Sequence, residues 1–488
     1  MMPKPRLLAA PVLGAVMALG HAPLGWWWAT ILAGAMVFAL MPAAPRAAAV
    51  WLWLAGLGYF GLALVWIVQP FFIDPAAHGW MAPFALVLMA GGMALFWGGA
   101  GLAAGFGHLA VATLFLALEL LRGFVLTGFP WAMLGHVLIE TPLVQLSSLG
   151  GAGLLSSVVL VAALLAAIPR TWRGRMAGGA AAAVAIAGAW GWGALRVPAE
   201  LANTNASVRL VQPNAPQAEK WDQGRALLFF ERMLAQTSAA APVPPALVLW
   251  PETSVPFLLD FPGAAFGMMA NAARTHGADT QIGFGVQRLD DGRYYNSLAL
   301  LDTSATVGQI YDKHHLVPFG EYVPFADWIA GSPVGGLAAQ ALQGYSAGPG
   351  PRTLELGPLG RALPLICYEA IFPRHTRVTP RPDWLLQVTN DAWFGTVSGP
   401  YQHLAQARLR AVEQGLPLLR SANTGVSAGF DGYGRSLGQL ALGVDGFIDI
   451  PVPPALSPTP YARWGDWPVW GAICLLGIGA VARKRLSG

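Results

Sequence analysis

The sequence predicts two structural parts, a multi-pass α-helical membrane domain and an α/β domain. Hydrophobic residues make up 55% of the chain and charged residues only 11%, a composition typical of membrane proteins. The polarity is unevenly distributed, because residues 1–195 contain only three acidic side chains, Asp74, Glu119 and Glu140, whereas residues 200–466 resemble a soluble domain. Between residues 206 and 453, short β-type runs alternate with amphipathic helical stretches, which indicates an α/β domain with its own core.

Eight apolar segments are candidates for transmembrane helices. A bilayer core of about 30 Å needs about 20 apolar residues per helix, and fewer where interfacial residues contribute. The first segment could instead be a signal peptide, because Lys4 and Arg6 precede a short apolar run. We expect a transmembrane domain of seven helices over residues 1–196, and a C-terminal transmembrane helix with a cytoplasmic tail over 464–488. The segments are 7–22, 26–42, 47–69, 80–99, 102–121, 148–168, 176–195 and 464–482.

The placement of lysine and arginine predicts the orientation in the membrane. With the N-terminus in the cytoplasm, nine basic residues lie on the inside and three lie on the short outside flanks. Both termini are therefore expected in the cytoplasm, and residues 197–463 outside it, which in a Gram-negative cell is the periplasm. The basic pI near 9.2 then requires no nucleic-acid partner. The inside residues are Lys4, Arg6, Arg46, Arg170, Arg173, Arg175, Arg483, Lys484 and Arg485, and the outside residues are Arg122, Arg196 and Arg463.

Within the α/β domain, the apolar pattern predicts eight strands and three helices. The helices are expected at 226–237, 264–275 and 403–414, where apolar residues recur at steps of three and four. The strands are expected at 207–212, 246–250, 281–287, 295–302, 362–367, 384–389, 417–422 and 427–431.

Three residues at or just beyond the ends of short β-type runs form a set suited to thiol-based acyl chemistry: a base, Glu252, an oxyanion-stabilising cation, Lys313, and a nucleophile, Cys367. Strand ends are where α/β folds bring polar groups together. Each residue alone is more simply a salt-bridged or core residue, and only the combination predicts catalysis. Cys474, the other cysteine, lies in an apolar segment and is interpreted as a packing residue.

No metal or cofactor is predicted, because the nine histidines show no metal-ligand spacing. The adjacent pair His314 and His315 is interpreted as structural or interfacial. Two cysteines 107 residues apart also make a disulfide framework improbable.

The chain resembles the nitrilase superfamily, and along essentially its full length it resembles the apolipoprotein N-acyltransferase family. The motifs that carry the resemblance lie in both predicted domains. In the α/β domain they are Gln212–Asn214, Lys220–Trp221, Trp250–Thr253, Tyr311–His314, Leu316–Pro324, Cys367–Glu369, Asn390–Gly395, Gln402–His403 and Asn423–Gly425, and in the membrane domain Leu121–Gly123 and Thr127–Trp131.

The resemblance implies a nitrilase-like (CN hydrolase) αββα sandwich over 197–463, in the periplasm and anchored to the bacterial inner membrane. Glu252 would be the general base, Lys313 the oxyanion cation and Cys367 the nucleophile. Glu321 matches the family's second essential glutamate, although a simple salt bridge is the alternative interpretation. Further positions that the family needs for activity match Trp221, Tyr368 and Glu369.

The implied reaction moves a fatty acyl chain from a membrane phospholipid to the α-amino group of diacylglyceryl-modified apolipoproteins, through a thioester on Cys367. This would be the last step of bacterial lipoprotein maturation, carried out by a monomer. The apolar, glycine-containing stretch Val323–Gly350 is expected to be a lid, or otherwise an ordinary packed loop.

Two other functions are consistent with some of these sequence features. A membrane-tethered amidase would use the same three residues, but it would not need seven preceding spans. A transporter with an inactive nitrilase-like domain would be expected to keep ionisable residues along its spans, which hold almost none. The intact Glu252, Lys313 and Cys367 also argue against an inactive domain.

Overall fold

The computed structural model describes residues 4–169, 171–200, 206–324 and 344–487. Most of the predicted lid, Val323–Gly350, therefore lies outside the described residues. The chain divides into two compact units. We call them the helical unit (Met1–Ala199, Phe394–Gln414 and Pro458–Gly488) and the sheet unit (Glu200–Trp393 and Gly415–Ser457).

The described helices alternate with short 3-10 turns, and all except α9 and α10 belong to the helical unit. In chain order they are α1 (Lys4–Ala18), α2 (Trp27–Leu40), α3 (Pro45–Ala63), α4 (Pro75–His78), α5 (Ala82–Gly101), α6 (His108–Leu121), α7 (Ser147–Ala167), α8 (Trp172–Arg196), α9 (Gln223–Ser238), α10 (Ala265–Arg274), α11 (Gly399–Gln414), α12 (Pro460–Trp464) and α13 (Trp467–Ser487).

Each of the eight predicted apolar segments overlaps a helix, namely α1, α2, α3, α5, α6, α7, α8 or α13. Four helical stretches of the described chain are long and apolar enough to cross a membrane. The other predicted spans are shorter or more polar, so eight crossings stay a prediction. The four stretches are Pro45–Ala63, Pro75–Phe106, Pro142–Ala167 and Trp172–Arg196.

Glycines let α1 and α3 pack with their backbones in contact. A Cβ atom on Gly14 would lie 1.8 Å from the carbonyl oxygen of Ala55, and one on Gly58 would lie 1.9 Å from that of Pro11. Backbone atoms cannot move aside as a flexible side chain can, so only glycine fits at these two positions. Small residues at helix contacts are the usual means of close packing between apolar helices.

Arg122 has a structural role that the sequence leaves open. Its side chain is 1% exposed, and its guanidinium group donates hydrogen bonds to the carbonyl oxygens of Phe129 (2.7 Å), Trp131 (2.7 Å) and Ala132 (3.4 Å). Glu119, one turn earlier, accepts a 2.7 Å hydrogen bond from the backbone N–H of Leu134. These two side chains together hold the non-helical segment that follows α6, which contains the Thr127–Trp131 motif.

Aromatic and amide side chains join α11 to the rest of the helical unit. Trp131 donates a 2.7 Å hydrogen bond to Gln402, which in turn donates to the carbonyl oxygen of Ala63 at 3.1 Å. The Trp131 ring also packs against those of Trp66 and His403, with centroids 4.5 and 5.6 Å away. The Gln402–His403 and Thr127–Trp131 motifs are therefore neighbours within one packed cluster.

The sheet unit contains two six-stranded sheets, ordered β12-β1-β2-β3-β4-β5 and β11-β10-β9-β8-β7-β6. Each has three adjacent parallel strands, β1-β2-β3 and β7-β8-β9, flanked by antiparallel ones. The strands are β1 (Ser207–Gln212), β2 (Leu247–Leu249), β3 (Gln281–Asp290), β4 (Arg293–Leu301), β5 (Val307–Asp312), β6 (Leu354–Glu355), β7 (Arg361–Ile366), β8 (Trp384–Thr389), β9 (Leu418–Ala422), β10 (Ala428–Phe430), β11 (Ser436–Gln439) and β12 (Gly446–Pro451).

The sequence locates the eight inner strands and misses all four edge strands, β5, β6, β11 and β12. The reason is burial. The inner strands β1 and β8 are buried at every residue, whereas β11 has no buried residue and β12 has one. A strand at the edge of a sheet keeps polar side chains, so its apolar pattern is weak.

The main described core of the sheet unit lies between the first sheet and helices α9 and α10. Phe230 and Met233 of α9 and Met269 of α10 pack there against Trp250 and the apolar residues of β2 and β3. On its other face, this sheet meets the second one, where Ser421 of β9 donates a 2.8 Å hydrogen bond to the carbonyl oxygen of Val211 in β1. The two sheets thus pack face to face.

Candidate active site

Glu252 lies in a tight turn that follows β2, and its side chain is buried. One carboxylate oxygen accepts a 2.7 Å hydrogen bond from the Asn296 side chain, and the other accepts a 2.9 Å bond from the backbone N–H of Asn390. The turn presses against β3 at Gly285, where a Cβ atom would lie 2.6 Å from the Cα atom of Glu252. The position of Glu252 is thus set by backbone contact as well as by hydrogen bonds.

Lys313 follows the edge strand β5 and lies between two carboxylates. Its ammonium nitrogen is 2.8 Å from Glu321 and 3.4 Å from Glu252, and its side chain is 1% exposed. Asn296, near the start of the antiparallel neighbour β4, donates to both carboxylates, at 2.7 Å to Glu252 and 3.1 Å to Glu321. Glu321 also accepts a 2.8 Å bond from the backbone N–H of Val317, which fixes its orientation.

The two carboxylates keep Lys313 protonated. Burial lowers the pKa of Lys313, but the charges of Glu321 and Glu252 outweigh this effect and leave the pKa above its usual value. The ammonium group is therefore a permanent cation at neutral pH, available to stabilise a developing negative charge.

Cys367 follows β7 and begins a 3-10 turn, Cys367–Ile371, with a positive φ of 50°. A non-glycine residue in this region of the Ramachandran plot is uncommon and is often found at functional sites. Burial raises the pKa of the Cys367 thiol, Glu252 raises it further, and the opposing effect of Lys313 is smaller. The resting residue is therefore a neutral thiol, which needs a base before it can act as a nucleophile.

Glu369 connects the segment that carries Lys313 to the segment that carries Cys367. One carboxylate oxygen accepts hydrogen bonds from the backbone N–H groups of His314 (2.8 Å) and His315 (3.2 Å). The other accepts from the backbone N–H of Ile366 (2.8 Å) and the hydroxyl of Tyr311 (2.9 Å). Burial raises the pKa of Glu369, but these donors and the nearby His314 side chain, at 2.7 Å, lower it overall.

Two other predicted site residues lie at the edges of this cluster. Tyr368, next to the nucleophile, is buried, and its ring packs against those of His315 and Phe372. Trp221 is 46% exposed, and its ring covers the ammonium group of Lys220 at 5.4 Å. The structure thus brings Glu252, Lys313, Cys367, Glu321 and Glu369 together, with Tyr368 beside them and Trp221 at the surface.

Three asparagines and one lysine around the site escape the sequence prediction of site residues. Asn390 and Asn423 directly follow the predicted strands that correspond to β8 and β9, so the rule that found Cys367 applies to them as well. Their side chains are joined by a 2.9 Å hydrogen bond. Asn296 lies inside a strand, so no local signal marks it, whereas Lys220 lies before a helix and was marked only by the Lys220–Trp221 motif.

The histidines near the site form a chain with one another. His375 is 3.1 Å from His314 and 3.0 Å from His315 through its two ring nitrogens. Burial lowers the pKa of His315 to about 4 and that of His375 to about 2, so both rings are neutral at pH 7. Among the residues that the structure describes, no group of three His, Cys, Asp or Glu side chains could hold a metal ion. Cys474, interpreted above as a packing residue, is exposed on α13.

Comparison with known proteins relates both parts of the chain to described families. The Carbon-nitrogen hydrolase family model matches residues 207–443, and the model for the Apolipoprotein N-acyltransferase N-terminal domain matches residues 13–165. The first match gives the sheet unit the two-sheet CN-hydrolase fold. Among solved structures, a CN-hydrolase superfamily protein from Xanthomonas campestris is 22% identical, with a TM-score of 0.36 over 51% of this chain and 90% of that one.

Relatives named apolipoprotein N-acyltransferase match nearly the whole chain. The protein from Caulobacter vibrioides is 37% identical over 98% of this chain and 94% of its own length. The protein from Bradyrhizobium diazoefficiens is 37% identical over 98% of this chain and 95% of its own, and that from Allorhizobium ampelinum is 35% identical over 99% and 96%.

Proposed function

Because this chain belongs to the apolipoprotein N-acyltransferase family, we propose that it transfers a fatty acyl chain from a membrane phospholipid to apolipoproteins. The acceptor is the α-amino group of their N-terminal diacylglyceryl-modified cysteine. The observation that carries the proposal is the convergence of Glu252, Lys313 and Cys367, from three strand ends of both sheets, on one buried site. A base, a fixed cation and a buried thiol are what acyl transfer through a thioester requires.

In the first half-reaction, Glu252 takes the proton of the Cys367 thiol while the sulfur attacks the ester carbonyl carbon of the phospholipid. Proton transfer must accompany attack, because the raised pKa of Cys367 disfavours a free thiolate. The carbonyl oxygen becomes an oxyanion, which Lys313 and the backbone N–H of Tyr368 stabilise; loss of one such donor commonly costs about 3 kcal/mol. The ester C–O bond then breaks, Glu252 returns the proton to the leaving glycerol oxygen, and a thioester remains on Cys367.

In the second half-reaction, the neutral α-amine of the apolipoprotein attacks the thioester carbonyl carbon. Glu252 accepts a proton from the amine, the C–S bond breaks, and the proton passes to the sulfur of Cys367. Glu321 assists both steps by binding the Lys313 ammonium group at 2.8 Å. Glu252 lies farther from this group, at 3.4 Å, and is therefore the carboxylate that is freer to act as the base.

We further propose that the protein crosses the bacterial inner membrane eight times, with residues 1–196 and 464–488 as membrane regions and the catalytic domain 197–463 in the periplasm. Eight helices at the predicted positions support this topology. The burial of Arg122 strengthens the charge argument, since this residue packs inside the helical unit and no longer counts as an outside flank. Nine basic residues then lie on the cytoplasmic side and two on the outside flanks.

Intact-mass spectrometry of protein purified from membranes tests the function. Wild-type protein should carry an added mass of one fatty acyl group that hydroxylamine removes, as expected for a thioester. Cys367→Ala should carry no adduct and transfer no acyl group, although it should remain folded. Cys474→Ala is the matched control and should behave as wild type, because this exposed residue lies in α13 of the other unit.

Two results would contradict the proposal. Acyl transfer by Cys367→Ala would remove the nucleophile assignment. Hydrolysis of small soluble amides by the wild-type protein, without phospholipid-dependent acylation of a diacylglyceryl peptide, would instead favour the amidase function.

A further inference from the structure

Lys220 is a second buried lysine beside the proposed base. Its side chain is 6% exposed, and its ammonium group donates hydrogen bonds of 3.2 Å to the backbone carbonyl of Glu252 and 3.2 Å to the hydroxyl of Thr253. Thr253 has a positive φ of 43°, which is unfavourable for a β-branched residue unless its surroundings hold it. Lys220 therefore holds the turn that carries Glu252. The Trp221 ring lies over the Lys220 ammonium group, with its centroid 5.4 Å from the nitrogen.

Lys220 places a second positive charge near the carboxylates that flank Lys313. Glu252 and Glu321 bring two carboxylates close to one cation, Lys313. Two carboxylates that share one buried site with a single cation tend to retain a proton between them, because burial and mutual repulsion both disfavour the second charge. The ammonium group of Lys220 adds a second positive charge near Glu252 and so opposes this tendency.

We propose that Lys220 is a positioning residue for the general base, which holds the Glu252–Thr253 turn and places a second positive charge beside it. The inference deepens the proposed acyl transfer and rests on Glu252 being its base. Lys220 itself does not touch the reacting atoms; it acts through the carboxylate.

Lys220 carries its charge at neutral pH. Burial lowers the pKa of Lys220 to about 8, although the Glu252 charge acts in the opposite direction. The ammonium form therefore predominates at pH 7 and is lost only as the pH rises through about 8.

Few of the described titratable groups face Lys220 and Glu252. Apart from Lys220, the residues that line the cavity beside it have no titratable side chain; they are Pro213, Ala215, Trp221, Ala226, Phe229, Ser254, Val255, Pro256 and Asn423. Among the described residues, the titratable groups that interact with Glu252 are Lys313, Cys367, Lys220 and Tyr345, with Glu321 across Lys313.

The test compares the pH dependence of variants that differ in charge at position 220. Lys220→Met and Lys220→Gln remove the charge, and the glutamine keeps a hydrogen-bond donor, while Lys220→Arg keeps the charge. In the neutral variants we expect the acidic limb of the kcat profile to move up by about one pH unit, so that kcat on that limb falls by up to about 10-fold. KM for phospholipid should change little, and Lys220→Arg should keep the wild-type limb. Arg225→Gln, which removes an exposed cation paired with Glu219, is the matched control.

A second readout does not depend on the identity of the substrate. In a Cys474→Ala background, alkylation of Cys367 by iodoacetamide also needs a base, and its pH profile should move in the same direction in the neutral variants. Thermal unfolding of each variant shows that it is folded.

The proposal is overturned if folded Lys220→Met has the kcat and acidic limb of the wild type, or if Lys220→Arg shifts as far as Lys220→Met. A wild-type protein that transfers no acyl group would contradict the proposed function, whereas the alkylation profiles would still decide the role of Lys220.

Discussion

At the scale of single residues, Glu369 shows how one carboxylate can organise a site without reacting. Its two oxygens accept hydrogen bonds from the backbone on both sides, at His314 and His315 after Lys313 and at Ile366 before Cys367. The cation and the nucleophile come from different sheets, so nothing in the local chain fixes the distance between them. We infer that Glu369 sets this distance.

Glu369→Gln should therefore lower both activity and stability. An amide of the same shape cannot accept all of these bonds, and we expect a loss of about 3 kcal/mol in the free energy of unfolding at pH 7. Because the pKa of Glu369 is lowered in the folded protein, its contribution to stability is complete above the unfolded pKa of about 4.3 and is lost as the pH falls through the folded pKa. The difference between the two proteins should thus shrink in acid.

Thermal or denaturant unfolding across pH measures this prediction. Glu355→Gln, at an exposed position on β6, is the control and should be silent. A Glu369→Gln protein as stable as the wild type at pH 7 would show that the carboxylate is not needed to join the two segments.

At the scale of elements, the close contact between β3 and the Glu252 turn depends on Gly285. A Cβ atom there would lie 2.5 Å from the Pro251 carbonyl oxygen and 2.5 Å from the Thr253 nitrogen. Because both are backbone atoms, an added methyl group can be accommodated only by moving the turn. For Gly283, two residues earlier on the same strand, the three atoms nearest to an added Cβ are side-chain atoms of Leu249 (3.1 Å), Leu300 (3.4 Å) and Leu247 (3.7 Å).

Gly285→Ala should consequently displace Glu252 and reduce the rate of acyl-enzyme formation. A displacement of about 1 Å can cost about 100-fold in rate, so we expect a loss of this order with a smaller effect on folding. Gly283→Ala should retain nearly wild-type rates, since the leucine side chains can adjust. Single-turnover kinetics and thermal unfolding measure the two effects separately, and equal rates in the two variants would refute the positional argument.

At the scale of the whole molecule, the predicted topology places the nucleophile and the basic loops on opposite sides of the membrane. A reporter enzyme fused after Ser238, an exposed residue that ends α9, should behave as exported. The same reporter fused at Arg173, near the start of α8, should behave as cytoplasmic. A cytoplasmic signature at Ser238 would reverse the orientation and would separate Cys367 from exported apolipoproteins.

The sequence by itself determined the class of each part of the chain and most of the reacting groups. The overlap of the eight apolar segments with helices, and the recovery of inner strands such as β1 and β8, follow from patterns within a few neighbouring residues. Glu252 and Cys367 were identifiable because each lies at or just beyond the end of a predicted strand. Lys313 follows the missed strand β5 and was identifiable from its place in the ordered Glu–Lys–Cys set, and the family motifs then added Glu321 and Glu369.

Only the tertiary structure decided how these groups are held and balanced. The backbone N–H of Asn390 that orients Glu252 lies 138 positions away in the chain. Arg122 donates hydrogen bonds to backbone carbonyls of a non-helical segment, whose conformation the apolar pattern does not predict. The edge strands β5, β6, β11 and β12 likewise depend on a partner strand rather than on their own apolar pattern. Local sequence specifies local conformation, whereas hydrogen bonds and charge balance in a buried site depend on which distant segments the fold brings together.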